Sequence, residues 1–155
     1  MKKFFIGIVC LALVIILVFM YGAWQLVKDN LSKKDLTYET TTLTVGALTV
    51  VADVADTDPL RIQGLSGRRA LSDGTGMLFI FEQSNFYGFR MKDMLFPIDI
   101  IGFDDTKHVV WLEENLSPES FPTVFTPTRP VQYVLEVPAW TISVFGLKLG
   151  TKATF

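Results

Sequence analysis

One stretch sets the class of the fold: Leu43-Thr44-Val45-Gly46-Ala47-Leu48-Thr49-Val50-Val51-Ala52-Asp53-Val54. It is rich in β-branched residues, and a Gly-Ala pair separates its two apolar runs. β-branched side chains favour extended backbone, and glycine permits a tight turn between two extended runs. The pattern therefore predicts a β-hairpin, or two strands on either side of a bulge.

Similar apolar runs recur at short intervals after this hairpin. We interpret them as strands over residues 77–81, 89–92, 97–103, 108–112 and 131–137, with a last strand after Gly150. Thr57-Asp58-Pro59 is typical of a helix start, and residues 140–145 predict a second short helix. Residues 113–128 are too rich in proline for regular structure and predict a loop. Residues 43–155 therefore predict a mainly β, compact sandwich or barrel-like domain with one or two short helices.

The N-terminus has a different composition. Lys2 and Lys3 precede 24 uncharged residues, 4–27, which form a helix of roughly 36 Å against a hydrocarbon core of about 30 Å. We predict a transmembrane anchor over residues 1–27, with the membrane as partner of residues 4–27, and a polar linker over residues 28–42. Tyr21-Gly22-Ala23-Trp24 is a poor cleavage site, which favours an uncleaved signal-anchor over a cleaved signal peptide.

The orientation in the membrane rests on a weaker signal. Lys2 and Lys3 flank one end of the apolar run, and Lys28, Lys33 and Lys34 flank the other, so positive charge is nearly balanced. The short N-terminal tail favours a single-pass protein of the cell membrane whose domain is extracytoplasmic. A domain that faces the cytoplasm stays open as the alternative.

Charge and cysteine content exclude several classes of function. Residues 44–155 carry nine Lys/Arg and thirteen Asp/Glu, without a basic stripe, so no nucleic acid partner is expected. Cys10 is the only cysteine and lies within the apolar run, which excludes an intrachain disulfide and a cysteine metal site. His108 is the only histidine, so neither a metal nor another cofactor is predicted.

Several segments taken together resemble a known family. Their order is Arg61-Ile-Gln-Gly64-Leu65, Gly76-Met77-Leu78-Phe79, Met91-Lys92-Asp93, Pro97-Ile98-Asp99-Ile100, Phe103-Asp104 and Tyr133-Val134-Leu135-Glu136. The set resembles the bacterial and archaeal domain of unknown function 192 over about residues 44–155. The resemblance implies a mainly β domain, often exported or membrane-tethered, with no established activity.

The chain departs from the family pattern at several positions. Arg90 stands where the family usually has Trp, and Asp93-Met94 where it has Asn-Thr. Ser66 replaces a Met, and Trp140 stands near the place of an expected Gly. These differences fall in segments that would form a binding surface, so no ligand can be carried over from the family.

The candidate site residues are charged side chains within or next to apolar segments. They are Arg61, Arg68, Lys92, Asp93, Asp99 and Glu136. Burial of a charge without a partner is costly, so Asp99, between two isoleucines, is either exposed or paired with an arginine or lysine. Glu136 alternates away from Leu135, and we expect it to face solvent. The aromatic residues of segment 79–89 are interpreted as core and hairpin pairs.

These residues support hypotheses from three classes. The first is a binding or accessory module at the cell envelope, whose partner is a small ligand, a glycan or an envelope protein. The second is a hydrolase or transferase that uses paired carboxylates, Asp99 with Glu136 or Asp93. The third is a structural assembly factor. An enzyme of the second kind requires two of these carboxylates within about 10 Å in one pocket, and an assembly factor requires an exposed apolar patch.

Overall fold

A computed structural model describes residues 15–25 and 37–155 of the chain. The chain divides into two units, Met1–Thr37 and Tyr38–Phe155. Residues 15–25 are helical (α1), while the rest of the predicted anchor and residues 28–36 of the predicted linker lie outside the described residues. Within the described ranges, no helix combines the length and the apolar character needed to cross a membrane.

The second unit is mainly β, as the sequence predicts. Its elements are β1 (Glu39–Val45), β2 (Leu48–Ala55), α2 (Asp58–Gln63), β3 (Thr75–Asn85), β4 (Ile98–Phe103), β5 (Val109–Leu116), β6 (Val131–Pro138), α3 (Thr141–Phe145) and β7 (Ala153–Thr154). A single turn of 3₁₀-helix, Pro118–Ser120, follows β5. The predicted hairpin is confirmed as β1 and β2, and both predicted helices are present.

All seven strands belong to one sheet, in the order β5-β4-β6-β3-β2-β1-β7. Neighbouring strands are antiparallel except β2 and β3, which are parallel and are joined by a crossover that contains α2. The sheet curls so that its two ends approach each other at one point, where His108 beside β5 forms an isolated bridge with Lys152 beside β7. The domain is therefore a curled half-barrel, and it lacks the second sheet that a sandwich would need.

Each face of the curled sheet has its own apolar core. The inner core joins residues from both ends of the sheet, such as Leu43 of β1 and Phe103 of β4, together with Ile142 of α3. The outer core joins Met77 of β3 and Ile100 of β4 with side chains of α2 and of the β3–β4 connection. Because both faces are covered, β6 in the middle of the sheet is buried along most of its length.

Two predicted elements differ from the structure. The strand predicted over residues 89–92 is wrong: Phe89 forms only an isolated bridge with Phe125, and a turn at Lys92-Asp93 follows. Asp93 has a φ of 55°, a left-handed conformation that ends the extended run. The loop predicted from residue 113 begins later, because β5 continues to Leu116 by pairing with β4.

Asp99 lies on the inner face and is fully buried. Its carboxylate accepts hydrogen bonds from the backbone N–H groups of Asn115 (2.8 Å), Trp140 (3.2 Å) and Ile142 (2.8 Å). The cationic partner predicted for a buried Asp99 is therefore wrong. Backbone amides near the start of α3 satisfy the carboxylate, as amides at helix starts often do. Asp99 ties β4 to the end of β5 and to α3.

The hydrogen bonds around Asp99 also fix the backbone conformation of Trp140. Its φ is 72°, in the left-handed region that favours glycine. Its N–H also donates to the side-chain oxygen of Asn115 at 3.0 Å, so two acceptors fix a backbone conformation that is unfavourable for tryptophan. The resemblance places a glycine near this position, which agrees with the conformation observed.

Substitution of Asp99 by Ala should destabilise the domain. The three N–H groups would lose a charged acceptor inside the fold, so we expect the free energy of unfolding to fall by about 3 kcal/mol. Urea denaturation of the full chain measures the loss. Asp105→Ala, at an exposed turn position, is the matched control and should change stability by less than about 0.5 kcal/mol. Equal effects of the two substitutions would contradict this role for Asp99.

Candidate functional site

A cavity of about 880 Å³ opens on the outer face of the sheet. Its walls come from β3, from α2 and the turn that follows it, and from the β3–β4 connection. The apolar part of the lining includes Leu65, Phe79, Phe81, Phe89 and Met94. The parallel crossover puts α2 over this face, so the cavity lies between the sheet and the elements that cover it.

Aromatic rings form a fixed wall of the cavity. Phe81 and Tyr87 stack with their ring centroids 3.6 Å apart. Phe79 and Phe89 meet edge to face at 5.3 Å, and Phe89 also contacts Trp111 at 6.0 Å. Phe79, Phe81, Tyr87 and Phe89 pack in pairs as the sequence predicts, and these four rings line the cavity. Phe86 of the same segment is 53% exposed and does not line it. Rings held by several neighbours present an apolar surface that needs no reordering when a ligand binds.

Glu136 is the buried carboxyl group of this cavity. It lies on the central strand β6, beside Met77 of β3 and Ile100 of β4, and is 7% exposed. Its expected exposure is therefore wrong, because α2 and the β3–β4 connection cover the outer face of the sheet. Burial raises the pKa of Glu136 to about 8, although the charge of Arg68 acts in the opposite direction.

The carboxyl group of Glu136 has no hydrogen-bonding or ionic partner in the part of the chain that the structure describes. Within that part, every fully covered side-chain nitrogen or oxygen has a hydrogen-bond partner. The oxygen atoms of Glu136 therefore keep some accessible surface, and that surface belongs to the cavity. These oxygen atoms can therefore form a hydrogen bond with a molecule in the cavity.

Arg61 lines the cavity but is held by other groups. Its guanidinium donates to the carbonyl oxygens of Asp56 (2.5 Å) and Ile80 (2.7 Å) and pairs with Asp58 at 2.7 Å. It also lies 5.3 Å from the ring centroid of Phe81. These contacts attach α2 to β3, so Arg61 stabilises this wall of the cavity.

Arg68 is paired outside the cavity lining. It forms an ion pair with Asp53 at 2.8 Å and lies 5.2 Å from the ring centroid of Tyr38. Arg61 and Arg68 do not form a joint anion-binding site, because each arginine pairs with its own aspartate. Arg68 is still close enough to influence the titration of Glu136.

Lys92 and Asp93 lie in an exposed turn at the edge of the cavity. Both side chains are 69% exposed, and the two charged groups are 4.0 Å apart. Ser66 donates its hydroxyl to the carbonyl oxygen of Lys92 at 2.9 Å, and Gly67 donates its N–H to that of Asp93 at 2.8 Å. The turn is thereby attached to the exit of α2. Lys92 lines the cavity, whereas Asp93 does not.

The six candidate residues therefore do not form one site. Glu136, Arg61 and Lys92 line the cavity, and the other three do not. Asp99 pairs with Val137, whose side chain belongs to the inner core, while Glu136 pairs with Ile100 of the outer core. Asp99 and Glu136 thus point to opposite faces of the sheet, and the acid–base pair considered for them is not assembled.

The protonation of Glu136 should make stability depend on pH. The pKa of Glu136 in the folded chain, about 8, lies above its ordinary value of 4.5. The contribution of Glu136 to the free energy of unfolding is therefore fully present below pH 4.5. It is lost as pH rises towards 8, at up to about 1.4 kcal/mol per pH unit. Glu136→Gln removes this titration. Urea denaturation at pH 5 and pH 8 should show the variant gaining stability relative to the wild type as pH rises.

Glu82→Gln is the matched control, because Glu82 lines the same cavity and is exposed. Its stability relative to the wild type should stay nearly constant between the two pH values. A Glu136→Gln difference that is the same at pH 5 and pH 8 would contradict the raised pKa.

Comparison with known proteins agrees with the fold. One match is a crystal structure from Sinorhizobium meliloti 1021 that carries a provisional description as a transcription regulator. It has 25% identity and a TM-score of 0.73, and covers 77% of this chain and 96% of that chain. A protein of unknown function from Novosphingobium aromaticivorans DSM 12444 has 25% identity and a TM-score of 0.72, covering 79% and 89%.

The sequence comparisons are consistent with this picture. No curated protein matches the chain. The family model DUF192, described as an uncharacterised ACR, matches residues 41–155, which include all seven strands except the first residues of β1. The resemblance inferred from the ordered segments is confirmed by this match. The chain belongs to the DUF192 family, whose activity is uncharacterised.

Proposed function

We propose that the β domain is a binding module whose cavity takes a small organic ligand. The observation that carries the proposal is Glu136, a buried carboxyl group that opens to the cavity and has no partner among the described residues. Pockets that bind small molecules combine mostly apolar walls with a few convergent polar groups. The aromatic wall and Glu136 form such a combination, and 880 Å³ falls in the usual range for these pockets.

A binding role fits this geometry better than paired-carboxylate catalysis. General acid–base hydrolysis by two carboxylates needs both groups on one pocket. Asp99 is committed to backbone amides on the inner face, and Asp93 lies outside the cavity lining. A single buried carboxyl group can still orient a ligand, since one well-placed polar group fixes how a ligand lies in an apolar pocket.

The proposal includes a location at the cell envelope. Residues 4–27 form an apolar run long enough to anchor the chain in the cell membrane, and the proposal places the domain on the extracytoplasmic side. A domain held near the membrane surface would meet ligands on that side, as an accessory module of the envelope.

A second candidate function, assembly with a protein partner, is favoured by a different surface. Trp140 and Val144 are 64% and 74% exposed, and they line a shallow cavity of about 320 Å³ together with Phe145. Exposed apolar side chains that are contiguous often mark interaction sites. This surface lies next to α3, and the residues that form it do not line the larger cavity.

Ligand binding in the larger cavity is tested by NMR of the full chain. Mixtures of organic acids, amides, amines and monosaccharides would be added, and backbone amide shifts followed. We expect at least one mixture to shift the amides of Phe79, Gly88 and Glu136, which line the cavity, without shifting Thr49 and Val144 of the smaller one. Shifts confined to the smaller cavity, or no shifts, would contradict the proposal.

The orientation is tested by reporters fused after Phe155. An extracytoplasmic domain predicts activity from alkaline phosphatase, which needs export, and no fluorescence from a protein that folds only in the cytoplasm. A second chain moves the positive charge to the other side of the apolar run: Lys2 and Lys3 are changed to Asn, and two lysines are added after Val27. This change should reduce the phosphatase signal. Reporter activity found only in the cytoplasm would overturn the proposed location.

A further inference from the structure

We infer that the ligand of the larger cavity is a small organic acid, whose carboxylate meets the carboxyl group of Glu136 and whose apolar body lies against the aromatic wall. This inference rests on the proposed binding function and adds the chemical class of the ligand. It follows from the hydrogen-bonding capacity of Glu136, from the charges around the cavity and from the nature of its walls.

The first argument concerns the hydrogen bonds that Glu136 can offer. Because its pKa is raised to about 8, the group is largely uncharged at neutral pH. A protonated carboxyl group has one O–H donor and keeps acceptor capacity on its other oxygen. The described residues leave this donor without an acceptor, although the group opens to the cavity. A ligand carboxylate supplies the acceptor and forms a short, charge-assisted O–H···O⁻ hydrogen bond.

The second argument concerns charge. Arg61 and Asp58 neutralise one another, as do Arg68 and Asp53. Lys92 is likewise paired with Asp93 at 4.0 Å. The charged side chains that remain on the cavity lining are Arg90 and Glu82, and Arg90 has no ion-pair partner within the described residues. While Glu136 is protonated the lining carries no net charge, so it does not repel an anion, and Arg90 can pair with one.

The third argument concerns the body of the ligand. The lining contains charged and polar side chains, and Phe79, Phe89, Leu65 and Met94 supply its apolar walls. A ligand that filled the cavity with hydroxyl groups would leave many of them without partners. An acid with an aryl or alkyl body buries apolar surface there at about 25 cal/mol per Å².

The groups that can influence the titration of Glu136 come from each element around it. They are Asp58 and Arg61 on α2, Arg68 after α2, Glu82 on β3, and Arg90 and Lys92 on the β3–β4 connection. The pKa of Glu136, about 8, lies within the range from pH 6 to pH 9. Glu136 is therefore the group expected to dominate any change in affinity across that range.

Two matched probes test the inference: 3-phenylpropionate and 3-phenylpropylamine, which share a body and differ in the charge of the head. Amide shifts of Phe79, Gly88 and Glu136 in the full chain report binding. We expect the acid to bind and the amine to leave these amides unchanged. Between pH 6 and pH 9 the affinity for the acid should fall about ten-fold, because Glu136 loses its proton and then repels the ligand.

Variants of Glu136 identify the group responsible. Glu136→Gln keeps an uncharged donor, so it should bind the acid within about three-fold of the wild type at pH 6 and lose the dependence on pH. Glu136→Leu removes the donor and should weaken binding more than ten-fold, by about 1.4 kcal/mol or more. Asp105→Asn, at an exposed turn outside the cavity lining, is the control and should behave as the wild type. The unfolding transition of each variant is measured first, and only folded variants are compared.

The outcomes separate this inference from the proposed function. Binding of the amine in preference to the acid, or loss of acid binding in Glu136→Gln, would overturn the acid class and leave the binding function supported. Failure of both probes would also overturn the inference, while shifts caused by another mixture would preserve the proposed function. Absence of any ligand-induced shift at the cavity overturns both.

Discussion

The hydrogen bonds of Asp99 are the interaction on which the arrangement of this domain depends. One carboxylate, fully buried on β4, accepts the backbone N–H groups of three residues that are distant in the sequence. It joins the end of β5 to α3, whose Ile142 closes the inner core. It also holds Trp140 in a left-handed conformation. A carboxylate that is satisfied by amides in this way stabilises the fold without any cation, because the N–H groups of Asn115 and Ile142 would otherwise lose their acceptor inside the fold.

Glu136, on the neighbouring strand β6, carries a carboxyl group as Asp99 does, but its environment is different. Adjacent strands of the sheet put Asp99 on the inner face and Glu136 on the outer face. Amides surround the first carboxyl group, whereas apolar side chains and an open cavity surround the second. Burial without a hydrogen-bond donor raises the pKa of Glu136, whereas backbone amides satisfy the carboxylate of Asp99.

Two departures of this chain from the family pattern lie near Asp99 and at the cavity of Glu136. Trp140 stands near an expected glycine, has a φ of 72° and exposes most of its ring. Arg90, in place of the usual tryptophan, lines the cavity and adds positive charge to its rim. Both changes affect surfaces and leave the cores intact. We expect them to alter the ligand or partner of this member while the half-barrel of the family is preserved.

The sequence by itself determined the β class, the hairpin at Gly46, both short helices and the family, because these depend on local patterns and on an ordered set of segments. It also indicated Glu136 and Asp99 as candidate site residues. Only the tertiary structure decided their environments. Alternation along a strand gives two faces but does not say which face is covered, and α2 reaches Glu136 only through the parallel crossover. The donors for Asp99 are backbone amides, which every residue except proline carries, so no sequence signal marks them.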